Sequence, residues 1–269
     1  SGYTKVPVTH VVSSGSFSNT DGVGVHFEYS GADGTGDINS VVAGTGLSGG
    51  GTSGDVTLNV DLLSKQGGTN FTNSLLVGHA TTGTLSSADG NTGVGINALD
   101  AITSGDSNTV VGKGAGTDVT TAGRNVIIGK DSAGKLATGS GVNTYVGDSS
   151  GYYNVTGSAN TALGLSALQG ASGQSNSSNT AIGYQAIAAI TTGDYNIGLG
   201  RAAGNNITSG SGNVVIGNAD VSSATGDDQL SISDGEDGSV VWMTGDSAGM
   251  VSANGGELTT TGKALVMGF

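Results

Sequence analysis

Between residues 74 and 217 the chain repeats one phrase of polar and apolar positions. A small polar residue, almost always Asn, opens it. A short β-forming run follows, and an aliphatic residue and then a Gly close it. The openings are Ser74, Asn91, Asn108, Asn125, Asn143, Asn160, Asn179, Asn196 and Asn213, at steps of 17 residues with one of 18 and one of 19. Four residues on stand Gly78, Gly95, Gly112, Gly129, Gly147, Gly164, Gly183, Gly200 and Gly217. Just before them stand Val77, Val94, Val111, Ile128, Val146, Leu163, Ile182, Leu199 and Ile216. Seven residues after the opening a small side chain recurs: Ala98, Ala115, Ser132, Ser150, Ala167, Ala186 and Ala203. Eleven or twelve after it an apolar one recurs: Ile102, Val119, Leu136, Val155, Ala171, Ile190 and Ile207. Thr, Ser and Gly follow, as in "ITSG" and "VTTAG".

A fixed period of this kind dictates architecture. Runs of four or five β-formers are too short for a helix and fit a solenoid face. Each unit reads as a short strand, a Gly corner, a second short segment and a polar turn. Gly tolerates the positive φ of a sharp corner. Asn either bonds its neighbours along a stack or occupies a left-handed turn. One unit cannot bury its apolar face, but stacked units can. The fold class predicted is all-β, a trimeric parallel β-roll or β-solenoid of about nine coils, roughly 40 Å long at about 4.8 Å per coil. The nine Gly are its predicted corners, and the nine aliphatic residues before them its predicted core. Such a core is thin, and solenoid edges invite pairing. Burying one face against sister chains answers both problems.

The repeat sets the domain boundaries: 1–36, 37–73, 74–220 and 221–269. Residues 1–36 hold "KVPVTHVVSS" and "GVGVHFEYSG", two alternating runs that read as strands. They make a β segment that either docks onto another protein or continues a shaft. Residues 37–73 form a Gly-rich module and linker. Residues 221–269 read as short hairpins with "DG" and "GD" turns. They form a β cap over the last coil, with Trp242 as its filler, because an uncovered solenoid end aggregates. The tail "KALVMGF" is apolar enough to plug an oligomer or pack on a neighbouring subunit.

Composition narrows the function classes. Gly is 52 of 269 residues, aromatics are 4%, Pro occurs once and Cys is absent. Small apolar residues suit a thin, long core. Strict triplet Gly and abundant Pro, which collagen needs, are missing. Clusters of Val, Ile and Thr argue against disorder. The net charge is −13, with only 8 Lys plus Arg. That opposes nucleic acid, whose affinity comes from neutralised phosphates, and opposes anionic membranes. No apolar run has the length of a membrane-spanning helix. Without Cys there are no thiolate metal sites, and His10, His26 and His79 lack zinc-type spacing. No cofactor and no metal are expected. "SDGEDGS" is read as a solvated turn rather than a Ca²⁺ loop. Catalysis by a glycan-cleaving spike needs paired carboxylates in a cleft. Glu occurs only at Glu28, Glu236 and Glu257, and Asp106, Asp131, Asp148 and Asp194 fall in turns at scattered phases. The chain is therefore not expected to be an enzyme. Thr92, Thr109, Thr144, Thr161 and Thr180 form a Thr row of the kind found on ice-binding faces, but Val126, Ile197 and Val214 break it.

"NTAIGYQA", "NTALGLSA" and "NTVVGKGA" resemble the head repeats of trimeric autotransporter adhesins. Those heads are left-handed parallel β-rolls of three chains around one axis. Their coils are shorter, so a longer turn is implied here. The likeness covers roughly residues 74–220. "INSVVAGTGLSGGGTSGDVTLNV", Ile38 to Val60, resembles a module common in bacteriophage tail fibres, and "GELTTTGKALVMGF" resembles the closing segment of fibres of marine phages. Together the three imply a homotrimeric fibre on the surface of a phage virion. Its partners would be its own copies, other virion proteins and a host surface receptor or glycan. A bacterial adhesin head fragment is the alternative, although neither a coiled-coil stalk nor a membrane anchor is legible. An ice-binding or glycan-cleaving solenoid stands third.

Overall fold

The computed structural model describes residues 41–42, 47–51, 58–60, 64–139, 141–253 and 256–258. The strands expected within 1–36, with His10, His26 and Glu28, and the tail Lys263–Phe269 lie outside the described residues. The chain divides into two units, residues 1–61 and 62–269. In the first, β1 (Val41–Val42), β2 (Leu47–Gly51) and β3 (Leu58–Val60) form an antiparallel sheet in that order. Part of the Gly-rich module, Leu47–Gly51, is its central strand. Gly51 pairs with Val41, and Gly49 with Leu58.

The second unit is one 14-stranded sheet. Its first strand is β4 (Ser64–Gln66). The rungs are β5 (Leu75–Val77), β6 (Thr92–Val94), β7 (Thr109–Val111), β8 (Val126–Ile128), β9 (Thr144–Val146), β10 (Thr161–Leu163), β11 (Thr180–Ile182), β12 (Ile197–Leu199), β13 (Val214–Ile216) and β14 (Leu230–Ser233). β15 (Val241–Gly245), β16 (Val251–Ala253) and β17 (Gly256–Leu258) close it. From β5 to β14 every pairing is parallel and in phase, as Thr161 to Thr180 and Leu163 to Ile182 illustrate. β4 and β15 to β17 pair antiparallel at the two ends. This is an all-β β-solenoid with one strand per coil of about 17 residues.

The openings hold the stack together. Asn91, Asn108, Asn125, Asn143, Asn160, Asn179, Asn196 and Asn213 are all buried. The side-chain oxygen of each accepts from the next opening residue. That of Asn125 accepts the Asn143 backbone N–H at 3.0 Å and its side-chain amide at 3.1 Å. Of the two roles open to Asn, the stacked bond is the one used. The left-handed residue is the one before it, as in Arg124 (φ 57°) and Tyr195 (φ 59°). Ser74 starts the ladder, accepting from the Asn91 N–H at 2.9 Å. Gln229 ends it one rung beyond the sequence repeat. Its Nε2 donates to Asn213 Oδ1 at 3.1 Å, while its Oε1 turns back to accept from the Ser222 hydroxyl and the Ser223 N–H.

The inward side chain of each strand is its middle residue, two after the opening. Across the coil stands the residue eight after the opening, and in several coils the two volumes trade off. Gly93 faces Leu99, Val110 faces Gly116, Ile127 faces Ala133, Tyr145 faces Gly151, and Ala181 faces Ile187. A Cβ at Gly151 would meet the Tyr145 ring at 2.6 Å from Cδ1. The coil of Gly198 and Gly204 is the exception, and there Ile187 of the previous coil and Val215 of the next fill the space, as close packing demands. The small residues seven after the opening are buried too, as are Ile102, Val119, Leu136, Ile190 and Ile207. Where the coil holds Tyr145, Asn154 takes the place expected of Val155 and donates to the Tyr145 hydroxyl at 2.9 Å. The phenol also bonds Asn143 and Asn160, and burial pushes its pKa well up.

The predicted core needs correction. Val77, Val94, Val111, Ile128, Val146, Leu163, Ile182, Leu199 and Ile216 are not inside. Side chains alternate along a strand, and the buried Asn sets the phase. Positions two and zero point in, so positions one and three point out. Val94, Val111, Ile128, Leu163, Leu199 and Ile216 are 37 to 49% exposed, and Val77, Val146 and Ile182 are half-buried. Trp242 is corrected likewise. It is the unpaired residue of a bulge between β14 and β15, 53% exposed, and fills no core. The antiparallel strands extend the sheet edge, while Phe71 and Val221 fill the core towards its two ends.

Candidate association face

The outward side of β5–β14 is built of two rows. The first, one residue after the opening, runs Leu75, Thr92, Thr109, Val126, Thr144, Thr161, Thr180, Ile197, Val214, Leu230. The second, three after it, is the aliphatic row named above, continued by Ile232. Pairing carries that second row onto Met243 and then Ala253 of the closing strands. Neither row contains a charged residue, in a chain of net charge −13. Among the described residues, none of the five Thr hydroxyls in the first row bonds within the chain. Thr103, Thr120 and Thr208, on the far turn, each bond a carbonyl of the next coil.

Two flanks border the rows. One is the left-handed residue before the opening, with Arg124, Val142 and Tyr195. The other lies just past the Gly corner, with Ile96, Lys113, Lys130, Asp148, Leu165, Tyr184 and Arg201. Tyr195 at 69% and Ile96 at 58% are the most exposed large apolar residues described. Among the described residues before Val240, every exposed large apolar residue lies on these two rows and two flanks. The flat part measures roughly 43 Å by 10 Å from strand spacing and rise, and the flanks widen it. The largest apolar patch of a monomeric protein is often functional when it reaches a few hundred Å².

All nine predicted Gly corners lie together along one edge of this face, with φ between 104° and 139°. Conformation is half of their reason. A Cβ at Gly183 would collide with the carbonyl of Gly200 on the next coil, and the clash recurs up the column. Corners stack glycine upon glycine, a close approach that a single unit's sequence does not display. The outward rows were legible in principle, since period-two alternation from Asn names them. The flanks carried no such signal.

The remaining chemistry-bearing residues are placed elsewhere. His79 is buried, and its Nε2 donates to the Ala98 carbonyl at 2.7 Å, while Nδ1 has no partner among the described residues. Asp234 of "SDGEDGS" accepts from the backbone N–H groups of Val240, Asp237, Gly238 and Glu236, which lowers its pKa to about 2. Its carboxylate is thus spoken for by its own loop. Asp194 accepts the Ser177 N–H at 2.6 Å, Asp131 pairs with Lys130 at 2.6 Å, and Asp118 pairs with Lys135 at 3.1 Å. No family model, curated protein or solved structure matches the chain.

Proposed function

We propose that the chain is the rod-forming body of a homotrimeric fibre, and that the fibre belongs to a phage virion. The observation that carries the trimer is the uncharged outward face, ten rungs long, left bare by the isolated chain. The hydrophobic effect contributes about 25 cal/mol per Å² of apolar surface removed from water, so covering such a face stabilises an assembly. Three copies solve the geometry by turning their bare sides toward one axis. The role is mechanical: stacked backbone bonds and buried amides make a stiff, protease-resistant rod. No catalytic role is proposed: Asp234 is bound by its own loop, and Asp131 and Asp118 pair with lysines. Placement on a virion rests on the likeness of Ile38–Val60 and Gly256–Phe269 to fibre segments, and host attachment follows as the use of such a rod.

Native mass measured by light scattering tests the trimer. The expected value is three times 25.9 kDa. Copurification of the chain with intact phage particles tests the placement. A stable monomer would overturn the fibre. It would also turn attention to the free Thr hydroxyls, spaced one rung apart on a flat face, as a surface that orders water. Thermal hysteresis of the monomer would then measure ice binding.

A further inference from the structure

The two flanks of the face differ, so a ring of identical chains brings one flank of each copy against the other flank of its neighbour. Contacts of that head-to-tail kind close into a ring when the rotation fits. Which rung meets which is then set by the side chains. With the chains level, Lys130 faces Arg124 and Asp234 faces Asp228, both repulsive. With the far flank one coil lower, Lys113 faces Arg124, again repulsive. With the far flank one coil higher, Asp148 faces Arg124, Leu165 faces Val142, Tyr184 faces Ala159, and no like charges meet.

We propose that sister chains associate in this third register, with Arg124 of one copy against Asp148 of the next and Leu165 on Val142. The inference rests on the trimer proposed above. Local charge supports it. Lys130, Asp131 and Asp148 form one group on a single chain, and both carboxylates act on the Lys130 amine. That group carries one excess negative charge. Arg124 is exposed and, among the described residues, makes no ion pair on its own chain. It shares a shallow cleft with Asp106 without reaching pairing distance. The apolar half of the contact, Leu165 and Val142, is exposed on both sides, each at 48%. The offset needs only a modest inclination. One rung of about 4.8 Å across a face roughly 20 Å wide tilts each strand by about 14° to the plane of the ring.

The chain has no Cys, so engineered pairs report cleanly. Val142→Cys with Leu165→Cys in one chain should yield covalent three-chain species on mild oxidation. Within one chain the two positions lie on opposite flanks, too far apart for a disulfide, whose Cα atoms sit about 4.4–6.8 Å apart. Cross-linking instead by Ala159→Cys with Leu165→Cys would mean level chains and overturn the register. So would a trimer that neither pair cross-links. A native mass of one chain for the unmodified protein would remove the trimer itself. As a second measurement, Arg124→Asp and Asp148→Arg should each weaken association about tenfold or more, and the double swap should recover most of the loss. Unaltered association in both single variants would overturn the ion pair.

Discussion

Inside and outside of the roll differ by one residue along the same strand, and apolar side chains stand on both sides. Inward stand amides, hydroxyls and side chains as small as Gly93 and Ala162. Outward stand Val94, Ile128 and Leu163. The interior tolerates its polar groups because, His79 Nδ1 apart, the buried side-chain polar atoms described are bonded. Losing a partner for a buried group costs about 1–3 kcal/mol, and the ladder leaves no Asn oxygen between Asn91 and Asn213 without an acceptor's role. The outside has no such internal answer for its apolar rows. Polar stacking thus sets the phase of the fold, and while Leu76, Ile127 and Ile187 fill the core, a second set of large aliphatic side chains is left exposed on the outward rows.

The comparison is broken most severely at the corners. Gly183→Val places a β-branched side chain at a φ of 132° and against the Gly200 carbonyl. It should cost on the order of 4 kcal/mol or more, seen as loss of the cooperative melt or of soluble protein. An unchanged melt would refute the stacked-corner assignment. Asn125→Ala removes the acceptor of two Asn143 donors and should cost about 3 kcal/mol. At about 2–4 °C per kcal/mol, that lowers the midpoint by several degrees, measured at fixed chain concentration.

The inner–outer contrast sharpens with milder changes. Tyr145→Phe should cost only about 1 kcal/mol, because Asn154 and Asn160 keep the Asn176 carbonyl as an acceptor. Leu163→Glu, outward on β10, should alter the chain's own β signal little while reducing the native mass to one chain. If it unfolded the chain instead, position three would belong to the core after all. The smallest effect is expected at the Asp234 loop. Its folded pKa of about 2 lies below the ordinary 3.8, so its contribution is complete above about pH 4. That contribution is lost as the pH falls through about 2. Amide exchange of Gly238 and Val240 should stay slow at pH 4 and quicken below pH 2.

Period and strand length were plain in the sequence, because Asn, aliphatic and Gly recur in phase over nine units. The direction of the side chains was not read from them. Val94 and its equivalents are the most regularly aliphatic column, and regularity suggested burial. The buried column is irregular by comparison, running Leu76, Gly93, Val110, Ile127, Tyr145, Ala162, since its members answer the volumes of neighbours in the same and adjacent coils, as Gly93 does Leu76 and Gly198 does Ile187. Variation was the mark of the interior, and packing within and between coils explains it. Gln229 escaped notice for a related reason. It does an Asn's work from a strand that lacks the closing Gly, with Ser233 in its place.

Gln229 also makes the rod a ruler. Each Asn offers the next coil the same grip it took from the last, so a duplicated coil can slot in anywhere without renegotiating its surroundings. Length can then change in whole units of one coil across generations, with stiffness and girth conserved. The tally stops where a side chain one methylene longer folds its carbonyl back on itself and withdraws the offer.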